Sequence, residues 1–100
     1  MLKVGGIWVS PTEVEHALLE HPAVEACAVT GREDGNGLIK PMAYVVARAG
    51  VAPGTELAAT LQQFARTRLA EYKRPRWIEF VDALPTTATG KIQRFKLRGG

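Results

Sequence analysis

Cysteine is almost absent. Cys27 is the only one in 100 residues, so no internal disulfide can form. It stands in the apolar run AVEACAV and reads as a buried, inert thiol. Long apolar runs are missing too: none approaches the roughly 20 residues of a membrane span. The opening MLKVGG has neither the charged start nor the apolar stretch of a secretion signal. These absences fit a cytoplasmic protein with no membrane partner. Metal-ligand patterns are lacking as well. His16 and His21 are spaced i, i+5, which puts them on different parts of a helix, and no cysteine or acidic set completes a site. Glu33 and Asp34 lack the spacing of a calcium loop. There is no low-complexity tract, internal repeat or linker.

What remains is globular: 46% hydrophobic and 23% charged residues. One hundred residues make one domain with room for one core. The net charge of +3 makes the chain mildly basic, which suits a phosphate-bearing ligand. After Gly5-Gly6, Ile7 and Val9 form a short β-prone run. Ser10-Pro11-Thr12-Glu13 then reads as a helix start: Ser10 caps, Pro11 suits the first turn, and Glu13 closes a capping box. Val14, Ala17, Leu18 and His21 carry the helical spacing until Pro22 stops it. Ala23–Val29 reads as a strand, Gly31–Gly37 as a turn cluster and Leu38–Ala47 as a second strand, with Pro41 putting its start at an edge or bulge. Thr55 caps a second helix, whose apolar stripe is Leu57, Leu61, Phe64, Ala65 and Leu69. Pro75 ends it. Arg76–Asp82 reads as a third strand. After Pro85 the chain loosens, with one helical turn at Arg94–Arg98. The expected fold is α+β: a small three-stranded core sheet flanked by two main helices, with a short N-terminal β segment and a loose C-terminal segment.

Three segments can carry chemistry. The first is LPTTATGKIQR, ending on Lys91. It is not a phosphate-binding P-loop: Pro85 occupies the first glycine position and Ile92 follows the lysine where Ser or Thr should stand. Lys91 either serves as a mobile point charge able to bridge a carboxylate and a phosphate oxygen, or is plain tail charge. The second is KVGGIWVSPTEVE. Paired glycines beside a strand let a second backbone or a thin ligand approach closely, or simply make a turn. The third is YKRPRW, Tyr72–Trp77. It combines cations with aromatic rings, as a nucleotide site does. Alternatively, Lys73 and Arg74 only offset the negative end of the preceding helix. Read from residues alone, a small basic module that binds a nucleotide or RNA stays open, although it carries neither a GxxG loop nor paired RNP aromatics.

In combination these segments resemble the C-terminal domain of the adenylate-forming acyl-CoA synthetases. The resemblance covers essentially the whole chain: KVGGIWVSPTEVE, the central GLIKP and the closing LPTTATGKIQRFKLR stand in the family's order and spacing. GGIWVSP, YKRPRWIEFVD and TATGKIQRFKLR look most like the benzoate/4-hydroxybenzoate-CoA ligase branch.

The resemblance implies a two-step reaction, in which a carboxylate attacks ATP to give an acyl-adenylate and CoA thiol then displaces AMP. It also implies that this chain is the mobile C-terminal lid of a larger enzyme, with Met1 an internal residue. The N-terminal domain of the same enzyme would then hold ATP, its Mg2+ and the acyl pocket. Lys91 matches the catalytic lysine of adenylation, and in the family that lysine is also a target of lysine acetyltransferases. Gly5 and Gly6 match the loop past which the pantetheine arm of coenzyme A runs. Tyr72, Arg74 and Arg76 match positions that hold the CoA nucleotide. Trp8 and Lys3 match active-site-facing positions of the glycine segment, Trp8 on the CoA side. The sequence departs from the family at Thr86, where many relatives carry a lysine. The isolated chain is expected not to turn over.

Overall fold

The computed structural model describes residues 2–4 and 7–84. The element order is β1 (Leu2–Val4), β2 (Ile7–Val9), α1 (Pro11–Leu19), β3 (Val24–Glu33), β4 (Ile39–Ala47), α2 (Thr55–Arg68) and β5 (Trp77–Phe80), with a 3-10 turn at Glu71–Lys73 before β5. β1 and β2 form a small antiparallel ribbon. The main sheet has the order β3-β4-β5, antiparallel between β3 and β4 and parallel between β4 and β5. The parallel pair follows from its connection, since α2 carries the chain back to the starting end of β4. The fold is the expected α+β domain.

α1 begins as its sequence dictates. Ser10 is the cap, its Oγ accepting from the Glu13 N–H at 3.4 Å, with Pro11 in the first turn. The reciprocal half of the capping box is replaced: the Glu13 carboxylate instead meets Lys73 Nζ at 2.8 Å. The helix stops at Leu19, so His21 lies beyond it. There the His21 Nδ1 accepts from the Ala23 N–H at 3.1 Å, and its ring meets Phe64 edge-on, with centroids 5.0 Å apart. α2 is capped by Gly54, not by Thr55, which is its first helical residue. The φ of +148° at position 54 is what selects glycine there.

β3 runs to Glu33, beyond the expected end at Val29, because β3 and β4 stay paired from Val24↔Ala47 to Glu33↔Ile39. Asp34 closes the turn. Its Oδ1 accepts from the N–H groups of Asn36 (2.9 Å) and Leu38 (3.3 Å), while Gly35 and Gly37 take positive φ. Pro41 lies in the central strand, opposite Gly31 of β3, and not at an edge or bulge. Its carbonyl points to β5 and accepts from Arg76 N at 2.8 Å, just before the β4–β5 ladder begins at Met42↔Trp77.

The core lies between the helices and one sheet face. Val14 and Leu18 of α1, Leu61 and Ala65 of α2, Cys27 and Val29 of β3, and Ala43 and Val45 of β4 form one buried cluster, which Val4 and Val9 of the ribbon join. Val4 and Val9 anchor the ribbon to the domain. The opposite sheet face also buries Ala28, Thr30 and Met42. At its edge the Arg32 guanidinium lies 5.1 Å over the Trp77 ring.

Candidate functional site

A cleft of about 610 Å³ opens where the ribbon, the start of β4, the end of α2 and the Glu71–Arg76 segment meet. That volume is within the range of small-molecule sites. One wall is Val4 and Ile7. Opposite stand Gln62 and Arg66, which are four residues apart and therefore stacked on one face of α2. Lys40 and Pro41 at the start of β4, and Tyr72, Arg74 and Arg76 before β5, complete the lining. Among the described residues, four cations, Lys40, Arg66, Arg74 and Arg76, line the cleft with one carboxylate, that of Glu71. Such a balance favours an anion.

The residues are held from below. Arg74 donates from Nε to the Leu69 carbonyl (3.0 Å) and from Nη2 to the Arg66 carbonyl (3.4 Å). Arg66 lies in the last turn of α2 and Leu69 is its C-cap, where the helix itself supplies no partners and a cation is favoured. One of the two forked edges of Arg74 is thus spent on the fold. Lys73 is tied to Glu13 across the domain, and that hydrogen bond holds its ammonium above the ordinary pKa of 10.5. Arg76 is pinned by its backbone on both sides: its N–H donates to Pro41, and its carbonyl accepts from Gln62 Nε2 at 3.4 Å. Its side chain stays exposed. Tyr72 is 38% exposed, with Lys73 Nζ 5.7 Å from its ring centre.

The structure thus brings Tyr72, Arg74 and Arg76 together in one cleft. Trp8 and Lys3 lie elsewhere. They pair across the ribbon, with Lys3 Nζ 5.7 Å from the centre of the indole, on the face opposite the cleft-lining Val4 and Ile7. Trp8 is 61% exposed. The two aromatics of YKRPRW also separate, since Trp77 lies on the main sheet under Arg32 and not in the cleft. Gly5, Gly6 and Lys91 lie outside the described residues, as does the Arg94–Arg98 turn. The sequence reading missed Lys40, Gln62 and Arg66. The signal for the last two was their i, i+4 spacing on the polar face of α2. For Lys40 it was the central GLIKP segment, which served only as a family mark.

Residues 13–91 match the AMP-binding enzyme C-terminal domain. The chain belongs to that family. It is 59% identical over 98 residues to the benzoate–CoA ligase of Thauera aromatica, and 45% identical over 100 residues to the 4-hydroxybenzoate–CoA/benzoate–CoA ligase of Rhodopseudomonas palustris. Each comparison covers 98% of this chain but only 19% and 18% of the relative, so the chain spans about a fifth of the length of these enzymes. Among solved structures, an anthranilate CoA ligase in complex with anthranoyl-AMP superposes with a TM-score of 0.93 at 57% identity, covering 98% of this chain and 19% of the other. A benzoate CoA ligase from Burkholderia xenovorans gives a TM-score of 0.85 at 55% identity, over 91% of this chain and 18% of the other. Among the described residues, no helix is long and apolar enough to cross a membrane.

Proposed function

We propose that the chain is the C-terminal domain of an AMP-forming, benzoate-type CoA ligase, and that it works by presenting two different surfaces to a larger N-terminal domain. The observation that carries this reading is the 59% identity to a benzoate–CoA ligase along nearly the whole chain. In the first step a carboxylate oxygen attacks the α-phosphorus of ATP, the bond to pyrophosphate breaks, and an acyl-adenylate forms. Lys91 is the group assigned to this step. Its ammonium offsets charge as the two anionic reactants meet. The N-terminal domain is assigned ATP, its accompanying Mg2+ and the acyl pocket. In the second step the CoA thiol attacks the acyl carbon and AMP leaves. The basic cleft supports a role here: Tyr72 offers a ring face, and the arginines offer planar donors matched to phosphate. Gly5 and Gly6 are assigned to the passage of the pantetheine arm. Trp8 and Lys3 lie on the other side of the ribbon from the cleft. Their assignment as active-site-facing positions therefore rests on the resemblance and not on the cleft.

The test is Lys91→Ala in the enzyme that contains this domain, with the half-reactions assayed apart. Acyl-adenylate formation from ATP and benzoate should fall by about 10²-fold or more, about 2.7 kcal/mol of transition-state stabilisation. Thioester formation from supplied benzoyl-adenylate and CoA should persist. Survival of both steps would remove Lys91 from the mechanism. Acetylation of Lys91, which deletes the same charge, is assigned the same selective effect. For the alternative of an RNA-binding module, the decisive result is steeply salt-dependent binding of single-stranded RNA.

A further inference from the structure

Arg74, a position matched to the CoA nucleotide, already has one forked edge bound to helix carbonyls. Arg66 is in the converse position. It lines the same cleft from α2, its side chain is exposed, and among the described residues that side chain makes no ion pair or hydrogen bond. Its neighbour Arg68 differs on both counts: it pairs with Glu20 at 3.3 Å, lies over Phe64, and is not a wall of the cleft. Of the basic residues closing α2, only Arg66 therefore brings an uncommitted guanidinium into the cleft. The backbone beneath it is fixed, because its carbonyl is the one that accepts from Arg74 Nη2.

On the CoA-ligase reading above, we propose that Arg66 makes the forked contact to a phosphate at the nucleotide end of the thiol substrate, with Arg74 as the positioning residue that holds the last turn of α2 in place for it. Lys40 and Arg76 complete the charge as single contacts from the β4 side. Both lie close enough to the turn to act on Asp34, whose carboxyl they help to hold below its ordinary value. Among the described residues, Glu71 is the one opposing charge at the cleft. It keeps the pocket from trapping any small anion and leaves the advantage to a ligand with several phosphates.

The experiment compares two thiol acceptors in the full-length enzyme: CoA, and pantetheine, which lacks the nucleotide and its phosphates. The quantity read is the ratio of KM for pantetheine to KM for CoA. A lost charge-assisted contact lowers that ratio by about tenfold or more in Arg66→Ala, and by less in Arg66→Lys, which keeps charge but not the fork. Arg68→Ala should leave the ratio at the wild-type value. Arg74→Ala should lower the ratio and also the Tm, because it frees the carbonyls of α2. An Arg66→Ala ratio equal to wild type overturns the assignment of Arg66 while leaving the ligase reading intact. An equal fall in Arg68→Ala also overturns it, by reducing the effect to general charge. Failure of the wild-type enzyme to make a thioester from benzoate, ATP and CoA overturns the ligase reading itself.

Discussion

Single residues account for the ends and edges of this domain more than for its core. Glu15 is 4% exposed, and its Oε2 accepts from the Val29 N–H at 2.7 Å. β3 is the outer strand of the main sheet, so its outward N–H groups have no strand to pair with, and α1 supplies a carboxylate in place of one. Arg48 guards the start of the same edge, donating to the carbonyls of Pro22 (2.8 Å) and Val24 (3.2 Å). Glu15→Ala should therefore cost about 1–3 kcal/mol, the cost of a buried amide left unpaired. An unchanged urea midpoint would show that the bond contributes nothing. Two half-buried groups make stability depend on pH. Asp34 is held below its ordinary 3.8 chiefly by the Asn36 N–H. Its contribution is complete above the unfolded value and is lost as pH falls through the lowered one. Lys73 is raised above 10.5 chiefly by its hydrogen bond to Glu13, so its contribution is complete below the unfolded value and is lost as pH rises through the raised one. Asp34→Asn should flatten the acid limb of the stability curve and Lys73→Met the alkaline limb. Thermal melts across pH should show each change at one end only.

At the scale of elements, α2 joins core to cleft. Leu61 and Ala65 are fully buried in the core, while Gln62 and Arg66 on an adjoining stripe line the cleft. Leu61→Ala should cost about 2–5 kcal/mol through lost burial and the cavity left behind, measured as a lower urea midpoint with an unchanged slope. A loss below about 1 kcal/mol would mean that the stripe is not the main anchor of α2. This stripe was plain in the sequence because a helix buries residues three and four apart regardless of its neighbours. So was the start of α1, where Ser10 and Pro11 act locally. The misplacements are those that only tertiary contact decides. Leu2–Val4 gains strand structure by pairing with Ile7–Val9, and three residues carry too little periodicity to announce it. β3 outruns Val29 because β4 is there to pair with Thr30–Glu33, although Gly31 and Asp34 look like turn residues in isolation. His21 fits the helical spacing but is claimed by Phe64 and the Ala23 N–H.

At the scale of the molecule, what was legible was the kind of chemistry and not its full geometry. YKRPRW announced cations near aromatics. It did not reveal that Tyr72 enters the cleft while Trp77 turns to the sheet, nor that Arg74 spends an edge on α2, because both depend on where α2 ends relative to β4. The cleft is built from four separated stretches of chain, and Lys40 and Arg66 reach it only through folding. The same reasoning bears on whether the chain can act alone. Its cleft supplies cations and one exposed ring. Among the described residues the cleft is open to solvent, and preorganised charge is effective only where water is excluded. The chain spans about a fifth of the ligases it matches, and the remainder is where such a wall would come from. The isolated domain, given ATP, benzoate and CoA, should therefore form no benzoyl-CoA above the uncatalysed background in a chromatographic assay. Retained binding of CoA with no turnover would agree with a cleft that binds but does not react. A thioester product that persists after rigorous removal of host enzymes would mean that these 100 residues hold a complete active site, and the division of labour argued from the cleft would have to be abandoned.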